Sequence, residues 1–143
     1  MRIKANLGLI FAFLLTSGCA TAPHLAAEAP PSAAENIVQR QVEAYNAHDL
    51  DRFVAFYSDD IKVFRPPATE PAIAGKEKLR EFYAAKRFNL PNLHADILKR
   101  IVAGNKVVDY ERVLGVGDKP LDFIVVYEIA GGQIRFVWIH STQ

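Results

Sequence analysis

Three side chains of the sequence have the types and positions that could transfer a proton. Carboxylates and imidazoles are the usual general acids and bases of enzymes. His48 stands in a predicted turn, and Asp60 ends a Ser-Asp-Asp segment. Asp96 is two residues from His94, on the same face of a predicted strand. For His48, the capping of a helix by the adjacent Asp49 is an equally good explanation. For His94 and Asp96, a surface ion pair is the structural alternative. His48, Asp60 and Asp96 are therefore candidate catalytic residues, and a structural role for each stays open.

The sequence lacks the motifs of three other chemistries. It contains no His-x-x-x-His, no Gly-x-Ser-x-Gly and no Gly-x-x-x-x-Gly-Lys, the patterns of a metal site, a serine hydrolase and a phosphate-binding loop. Its single cysteine excludes an intramolecular disulfide and any zinc or iron–sulfur site made of several cysteines. We therefore expect no metal and no cofactor.

Length and charge limit the class of protein. With 143 residues, of which 50% are hydrophobic and 23% are charged, the chain suits one small globular domain. The 17 lysines and arginines nearly balance the 16 aspartates and glutamates. Such a balance gives no positive field for a phosphate backbone, so nucleic acid is not an expected partner.

The first 18 residues have the layout of a secretory signal peptide. Two positive charges in residues 1–4 precede an apolar run at 7–15 and small residues at 16–18. The run is too short to cross about 30 Å of hydrocarbon. Leu-Thr-Ser-Gly-Cys at 15–19 resembles the lipobox of bacterial lipoproteins, which implies acylation of Cys19. A plain secreted protein with an incidental cysteine is the alternative.

The lipoprotein resemblance also implies a location. Ala20 follows the cysteine where lipoproteins of the inner membrane often carry Asp, so we expect a lipid-anchored protein of the bacterial cell envelope, in the outer membrane and facing the periplasm. Residues 19–34 are rich in alanine and proline. Prolines disfavour a continuous helix, so this segment is predicted to be a semi-rigid tether between the lipid and a domain at 35–143.

Helical spacing dominates the first half of that domain. Ser-Ala-Ala-Glu at 32–35 is a capping-box pattern, and apolar residues at helical spacing predict a helix over 33–47. Asp49 would cap a second, short helix whose apolar residues extend to Tyr57. A strand is predicted at 61–64, and Gly75 opens a third helix.

Alternation with a period of two dominates the second half. Four segments rich in β-forming residues are separated by turn residues and lie at 93–102, 106–114, 121–129 and 134–141. Helices followed by such a meander predict an α+β fold, with three helices packed on one face of a strongly curved antiparallel sheet.

Three segments resemble a known family. They are Tyr-Asn-Ala-His-Asp-Leu-Asp at 45–51, Phe-Tyr-Ser-Asp-Asp-Ile-Lys-Val at 56–63 and Ile-Ala-Gly-Lys-Glu-Lys-Leu-Arg-Glu-Phe-Tyr at 73–83. These are similar to the SnoaL-like branch of the nuclear transport factor 2 superfamily. The resemblance covers the chain after the tether and implies a cone with a pocket at one end and a convex sheet face that commonly forms homodimers.

The resemblance also implies a set of ligand-binding residues. Alternation alone does not say which face of the strand at 106–114 points inward, but the family register places Tyr110 and Arg112 inside the cone. The implied lining is Tyr45, Arg65, Phe82, Tyr110, Arg112 and Phe123. Each arginine could instead be a paired or solvated surface charge, and each tyrosine a core aromatic.

The steroid isomerases of the superfamily use a Tyr, an Asp base and a protonated Asp. At the matching positions this sequence has Gln41, Arg65 and Val125. Arginine stays protonated near neutral pH and valine has no proton to donate, so that mechanism is not expected here.

Three functions remain for the domain. The first is an envelope protein whose cone binds a small, partly apolar molecule with an anionic group. The second is a cofactor-independent isomerase, cyclase, dehydratase or small hydrolase, whose mark would be a carboxylate or histidine inside the pocket with a perturbed pKa. The third is a protein-interaction module that uses the convex face and has its cone filled by side chains. The family fold does not decide between them.

Overall fold

The computed structural model describes residues 30–142, in which three helices are followed by four long strands. The helices are α1 (Ala33–Asn46), α2 (Leu50–Ala55) and α3 (Lys76–Lys86). The strands are β1 (Tyr57–Phe64), β2 (Ile73–Ala74), β3 (His94–Ala103), β4 (Lys106–Leu114), β5 (Leu121–Ala130) and β6 (Gln133–Ser141). The predicted signal peptide and Cys19 lie outside the described residues. None of the helices in residues 30–142 is long and apolar enough to cross a membrane.

Side-chain caps start the first two helices, as the sequence predicts. The Ser32 hydroxyl accepts a hydrogen bond from the backbone N–H of Glu35, so α1 begins at Ala33, inside the predicted tether. The Asp49 carboxylate accepts one from the N–H of Arg52 and caps α2. Each cap satisfies an N–H group that has no partner within its helix.

The end of α2 differs from the prediction. The helix ends at Ala55, and β1 begins at Tyr57, four residues before the predicted strand. The reason is pairing with the last strand, because Ile134 donates its N–H to the carbonyl of Phe56 and Tyr57 is in register with Ile134. A strand nearly eighty residues away therefore extends β1 through a segment that has helical spacing.

The six strands form one curved sheet in the order β2-β1-β6-β5-β4-β3. The meander β3–β6 is confirmed to within one residue at each strand end. The prediction of a wholly antiparallel sheet is wrong at one pair, because β1 and β6 run parallel. A parallel pair needs a long connection between its strands, and here α3 and four strands supply it.

Aromatic side chains connect the helices to the sheet. The ring of Phe53 lies between 4.6 and 5.8 Å from the rings of Tyr45, Tyr57, Tyr83 and Phe88, measured between centroids. Tilted aromatic contacts of this kind stabilise a core beyond the area that they bury. The cluster joins α1, α2, α3 and β1 and forms one wall of the space inside the cone.

The end of α1 is fixed to the start of β3. The amide of Asn46 donates to the carbonyl of Ala95 at 2.9 Å and accepts from its N–H at 2.7 Å. The Nε2 atom of His48 lies 2.8 Å from the carbonyl oxygen of Leu93. These hydrogen bonds hold the inward-facing residues of α1 over the sheet.

Candidate functional site

A cavity of about 70 Å³ opens between the helices and the inner face of the sheet. A single water needs roughly 10–15 Å³ and benzene fits a cavity of about 150 Å³, so the enclosed space can hold part of an organic ligand whose remainder extends through the open side. Its apolar lining includes Val63, Leu79, Phe82, Phe123, Val125, Val137 and Ile139. Its polar lining consists of Gln41, Tyr45, Tyr57, Arg65, Tyr83, Arg87, Glu111 and Tyr127.

Four of the six predicted ligand-binding residues line this cavity. They are Tyr45, Arg65, Phe82 and Phe123. Tyr45 projects from α1 and Phe82 from α3, while Arg65 follows the last residue of β1. Contact between these side chains and a ligand stays a prediction.

The prediction that Tyr110 and Arg112 face the cavity is wrong. Glu111 is in register with Phe123 on the neighbouring strand, and residues in register share one face of a sheet. Because Phe123 points inward, Glu111 does so too and its two neighbours point outward. There Tyr110 donates a hydrogen bond to Asp122 at 3.0 Å, and Arg112 donates two at 2.8 and 2.9 Å. Arg112 therefore has the paired surface role that the sequence left open.

The three candidate catalytic residues lie elsewhere in the described part of the chain. Asp60 accepts two hydrogen bonds from Arg135 on the exposed surface. Asp96 pairs with His94 at 3.2 Å, both half-exposed. His48 contacts a backbone carbonyl, as described above. None of the three is among the residues that line the cavity.

Glu111 is the acidic residue of the cavity, and the sequence reasoning missed it. Its side chain is buried, with 8% of the residue exposed, and its Oε1 accepts a hydrogen bond from the Tyr127 hydroxyl at 2.7 Å. Burial raises the pKa of Glu111 to about 7; Asp109 raises it too, while the Tyr127 hydrogen bond and Arg100 lower it. Near neutral pH this carboxyl can therefore both release and take up a proton.

Asp109 lies two residues before Glu111 on the same inner face and is fully buried. Arg100 neutralises it with hydrogen bonds of 2.7 Å from Nε to Oδ1 and 2.7 Å from Nη2 to Oδ2. The Nη1 atom of Arg100 also donates to Gln39 on α1 at 2.9 Å. The Asp109 carboxylate is therefore held in an ion pair beneath α1. Glu111 is the carboxyl that faces the cavity.

Several polar groups around the cavity have no partner within residues 30–142. The buried amide oxygen of Gln41 accepts no hydrogen bond, and the hydroxyls of Tyr45, Tyr57 and Tyr83 make none. Burial raises the pKa of all three tyrosines, to about 12 for Tyr83, so they stay protonated donors. Buried polar groups are normally hydrogen-bonded, so the Gln41 oxygen favours a polar ligand, and the tyrosine hydroxyls are further donors on the same cavity wall.

The curved sheet and its cavity define the nuclear transport factor 2-like class of α+β folds. The model of the SnoaL-like domain matches residues 38–137, and the chain belongs to that family. A candidate ketosteroid isomerase from Kribbella flavida is 16% identical and aligns over 78% of each chain with a TM-score of 0.67.

Two further structures are similar to this chain. A cystatin-fold protein from Novosphingobium aromaticivorans is 26% identical over 77% of this chain and 98% of its own, with a TM-score of 0.67. A candidate polyketide cyclase from Sinorhizobium meliloti is 21% identical over 73% of this chain and 93% of its own, with a TM-score of 0.63. Together with the family match, these structures establish the fold, and the chemistry has to be argued from the cavity.

Proposed function

We propose that this protein is a cofactor-independent SnoaL-like enzyme that transfers a proton on a small, partly apolar molecule, with Glu111 as the acid–base group. The observation that carries the proposal is a buried carboxyl on the cavity wall whose pKa is raised to about 7. A pKa near the working pH gives a general base the best combination of ionised fraction and basicity. The names of the isomerase and cyclase with similar structures agree with this class of reaction.

The reaction that fits is an isomerisation beside a carbonyl group. Ionised Glu111 takes the proton from a carbon next to the carbonyl, and the electron pair of that C–H bond moves to form an enolate. An unpartnered tyrosine hydroxyl, such as that of Tyr57 or Tyr83, donates a hydrogen bond to the enolate oxygen. Where a C=C bond of the substrate is conjugated with the enolate, protonated Glu111 returns the proton to the far carbon of that bond and the double bond moves toward the carbonyl, so the reaction needs no oxidant or reductant.

Binding alone is the second candidate function, and the four unpartnered polar groups favour it. An apolar wall would contact the body of the ligand, and the arginines at the cavity would donate hydrogen bonds to an anionic group. The third candidate, an interaction module, has less support because its cone would be filled by side chains. Its surface does exist: the rings of Phe64 and Phe136 stack on Trp138.

The proposal also includes the cellular location and the oligomeric state of the protein. Acylation at Cys19 would hold the domain at the membrane of a bacterial envelope, on the periplasmic side of the outer membrane, and the alanine- and proline-rich residues before α1 would separate it from the lipid. A homodimer through the convex face would cover side chains such as Ile101, which is 55% exposed. The leader sequence supports the first of these statements, and the apolar outer face supports the second.

Proton transfer can be tested without knowing the natural substrate. The full chain is incubated in D₂O with 2-oxobutanoate, phenylpyruvate or cyclohexanone, and loss of the C–H signal next to the carbonyl is followed by proton NMR. We expect exchange by the wild type and a loss of about 100-fold or more in Glu111→Gln. Glu43→Gln, which removes an exposed carboxylate outside the cavity lining, is the matched control.

Two results would overturn the enzyme proposal. One is equal exchange by wild type and Glu111→Gln. The other is wild type that binds these probes without accelerating exchange, which would assign the cavity to binding alone.

A further inference from the structure

Two arginines at the cavity have no carboxylate partner within residues 30–142. Five arginines of the described residues form ion pairs with carboxylates: Arg52, Arg80, Arg100, Arg112 and Arg135. Arg65 and Arg87 both line the cavity, and neither pairs with a carboxylate within residues 30–142. A guanidinium beside an apolar cavity without a carboxylate partner is available for an anionic ligand.

The surroundings of Arg87 orient its side chain. Its Cζ atom lies 5.5 Å from the centre of the Phe82 ring, and its Nη1 donates to the carbonyl of Lys86 at 2.8 Å. These two contacts hold the guanidinium at the end of α3 and leave its other N–H groups without a described acceptor. Arg65 reaches the same cavity from the end of β1 and is exposed, so it lies at the open side.

The two positive charges act on one place in the cavity. Burial and Glu111 raise the pKa of the Tyr83 hydroxyl, and Arg87 and Arg65 both lower it. Arg65, Arg87 and Tyr83 all line the same cavity, which agrees with an effect of both guanidinium groups on this hydroxyl. An anion beside Tyr83 would therefore meet positive charge from two elements of the fold.

Gln41 on α1 is a fourth polar group that lines the cavity. Gln41 is 4% exposed, and its amide oxygen is buried without a hydrogen-bond partner. Gln41 and Tyr45 are four residues apart on α1, so they face the cavity from the same side of the helix. An unsatisfied buried acceptor is costly, and a hydroxyl or enol group of a ligand would satisfy it.

We propose that Arg65 and Arg87 bind the carboxylate of a small hydroxy or oxo acid whose apolar body enters the cone and whose reacting carbon faces Glu111. The inference rests on the proposed function because it assigns the polar end of the same ligand. Carboxylate binding at the exposed rim leaves the rest of the molecule for the buried part, where Glu111 lies. Two guanidinium groups also offset the repulsion between the ligand and an ionised Glu111.

The test compares a hydroxy acid with its uncharged amide. Mandelate and mandelamide share a phenyl ring and a hydroxyl, and they differ in the carboxylate. Binding of each to the full chain is measured by calorimetry for wild type, Arg65→Gln, Arg87→Gln and Arg40→Gln. Arg40 is the matched control, because it is also without a carboxylate partner in residues 30–142 but does not line the cavity.

We expect wild type to bind mandelate about tenfold or more tightly than mandelamide, as a charge-assisted hydrogen bond implies. Arg65→Gln and Arg87→Gln should each weaken the binding of mandelate several-fold and leave the binding of mandelamide unchanged. Arg40→Gln should change neither affinity. Circular dichroism melts verify that the variants fold. The inference would be overturned by equal affinity of wild type for the two probes or by no mandelate binding. It would also be overturned if Arg87→Gln lost affinity for both probes.

The two proposals can fail separately. If Glu111→Gln abolishes isotope exchange while the arginine variants keep full mandelate affinity, the enzyme proposal stands and the carboxylate site does not. If the arginine variants lose mandelate affinity while Glu111→Gln exchanges protons like wild type, the carboxylate site stands and the enzyme proposal does not.

Discussion

Glu111 shows how position changes the chemistry of a residue. Exposed carboxylates such as Asp60 are paired on the surface, where water favours the charged form. Glu111 is enclosed by the cone and has one hydrogen bond, from Tyr127, so the neutral form gains in relative stability. The same carboxyl chemistry therefore gives an ion at the surface and, in the cavity, a group whose pKa is raised to about 7.

The raised pKa of Glu111 should make the free energy of unfolding depend on pH. The pKa of Glu111 is raised from 4.5 to about 7 in the folded protein, so the native state binds this proton more tightly than the unfolded chain. The resulting stabilisation is complete below about pH 4.5 and is lost as the pH rises through 7, in total about 3 kcal/mol. Glu111→Gln lacks it and should gain stability relative to wild type over that range.

Urea unfolding at several pH values measures the effect. The free energy of unfolding of Glu111→Gln minus that of wild type should rise between about pH 4.5 and pH 8. Glu43→Gln should show no such rise, because that side chain is exposed. A constant difference for Glu111→Gln would show that the buried carboxyl titrates normally.

The sequence could predict only part of the cavity. Tyr45 and Phe82 were found because helical spacing and family resemblance agree on them. Glu111 was missed because each face of β4 mixes apolar with charged residues, so the pattern of that strand alone gives no inward face. Pairing with Phe123 on β5 gives the answer, and that register emerges only when the two strands are considered together.

The buried ion pair of Arg100 with Asp109 connects β3 to β4. A hydrogen bond from Arg100 to Gln39 connects the pair to α1. Arg100→Gln would leave the Asp109 carboxylate buried without its counter-charge, which typically costs about 3–5 kcal/mol. Arg135→Gln breaks the exposed pair with Asp60 and should leave the free energy of unfolding nearly unchanged. Chemical denaturation of both variants makes the comparison, and equal losses would contradict it.

The turn between β4 and β5 packs against the segment that enters β3. Gly115 has a φ of +78°, and a Cβ there would overlap the backbone of Asn92 and lie 2.7 Å from the N atom of Leu93. Gly115→Ala should therefore lose about 2 kcal/mol or more, from the left-handed backbone and the overlap together. Gly117→Ala is the control, since a Cβ there meets no atom within 4 Å. Similar melting temperatures for the two variants would contradict this reading.

Elements set by local signals were predictable, and those set by distant pairing were not. Caps at Ser32 and Asp49 and the alternation of the last four strands gave boundaries close to the observed ones. The start of β1 and its parallel pairing depend on β6, at the other end of the domain. No local pattern in residues 57–60 carries that information.

For the whole molecule, the outer face of the sheet is where association is expected. Ile101 is 55% exposed there, and Trp138 stacks with two other rings. Ile101→Asp should convert a dimer to a monomer in size-exclusion chromatography with light scattering, using a Cys19→Ser background to remove the proposed lipid. Ala85→Asp, on the exposed side of α3, should remain dimeric. A wild-type monomer, or a dimer that survives Ile101→Asp, would contradict the convex-face interface.

The titration of Glu111 can be measured without substrate or partner, and it decides whether this carboxyl can exchange a proton near neutral pH. The carboxyl carbon of Glu111 in the full chain is assigned by its absence in Glu111→Gln and followed by carbon-13 NMR from about pH 4 to pH 9. A midpoint near pH 7 is the predicted result. A midpoint near the ordinary value of 4.5 would show that the cavity holds a permanently ionised carboxylate at neutral pH, and the proton-transfer account would be wrong.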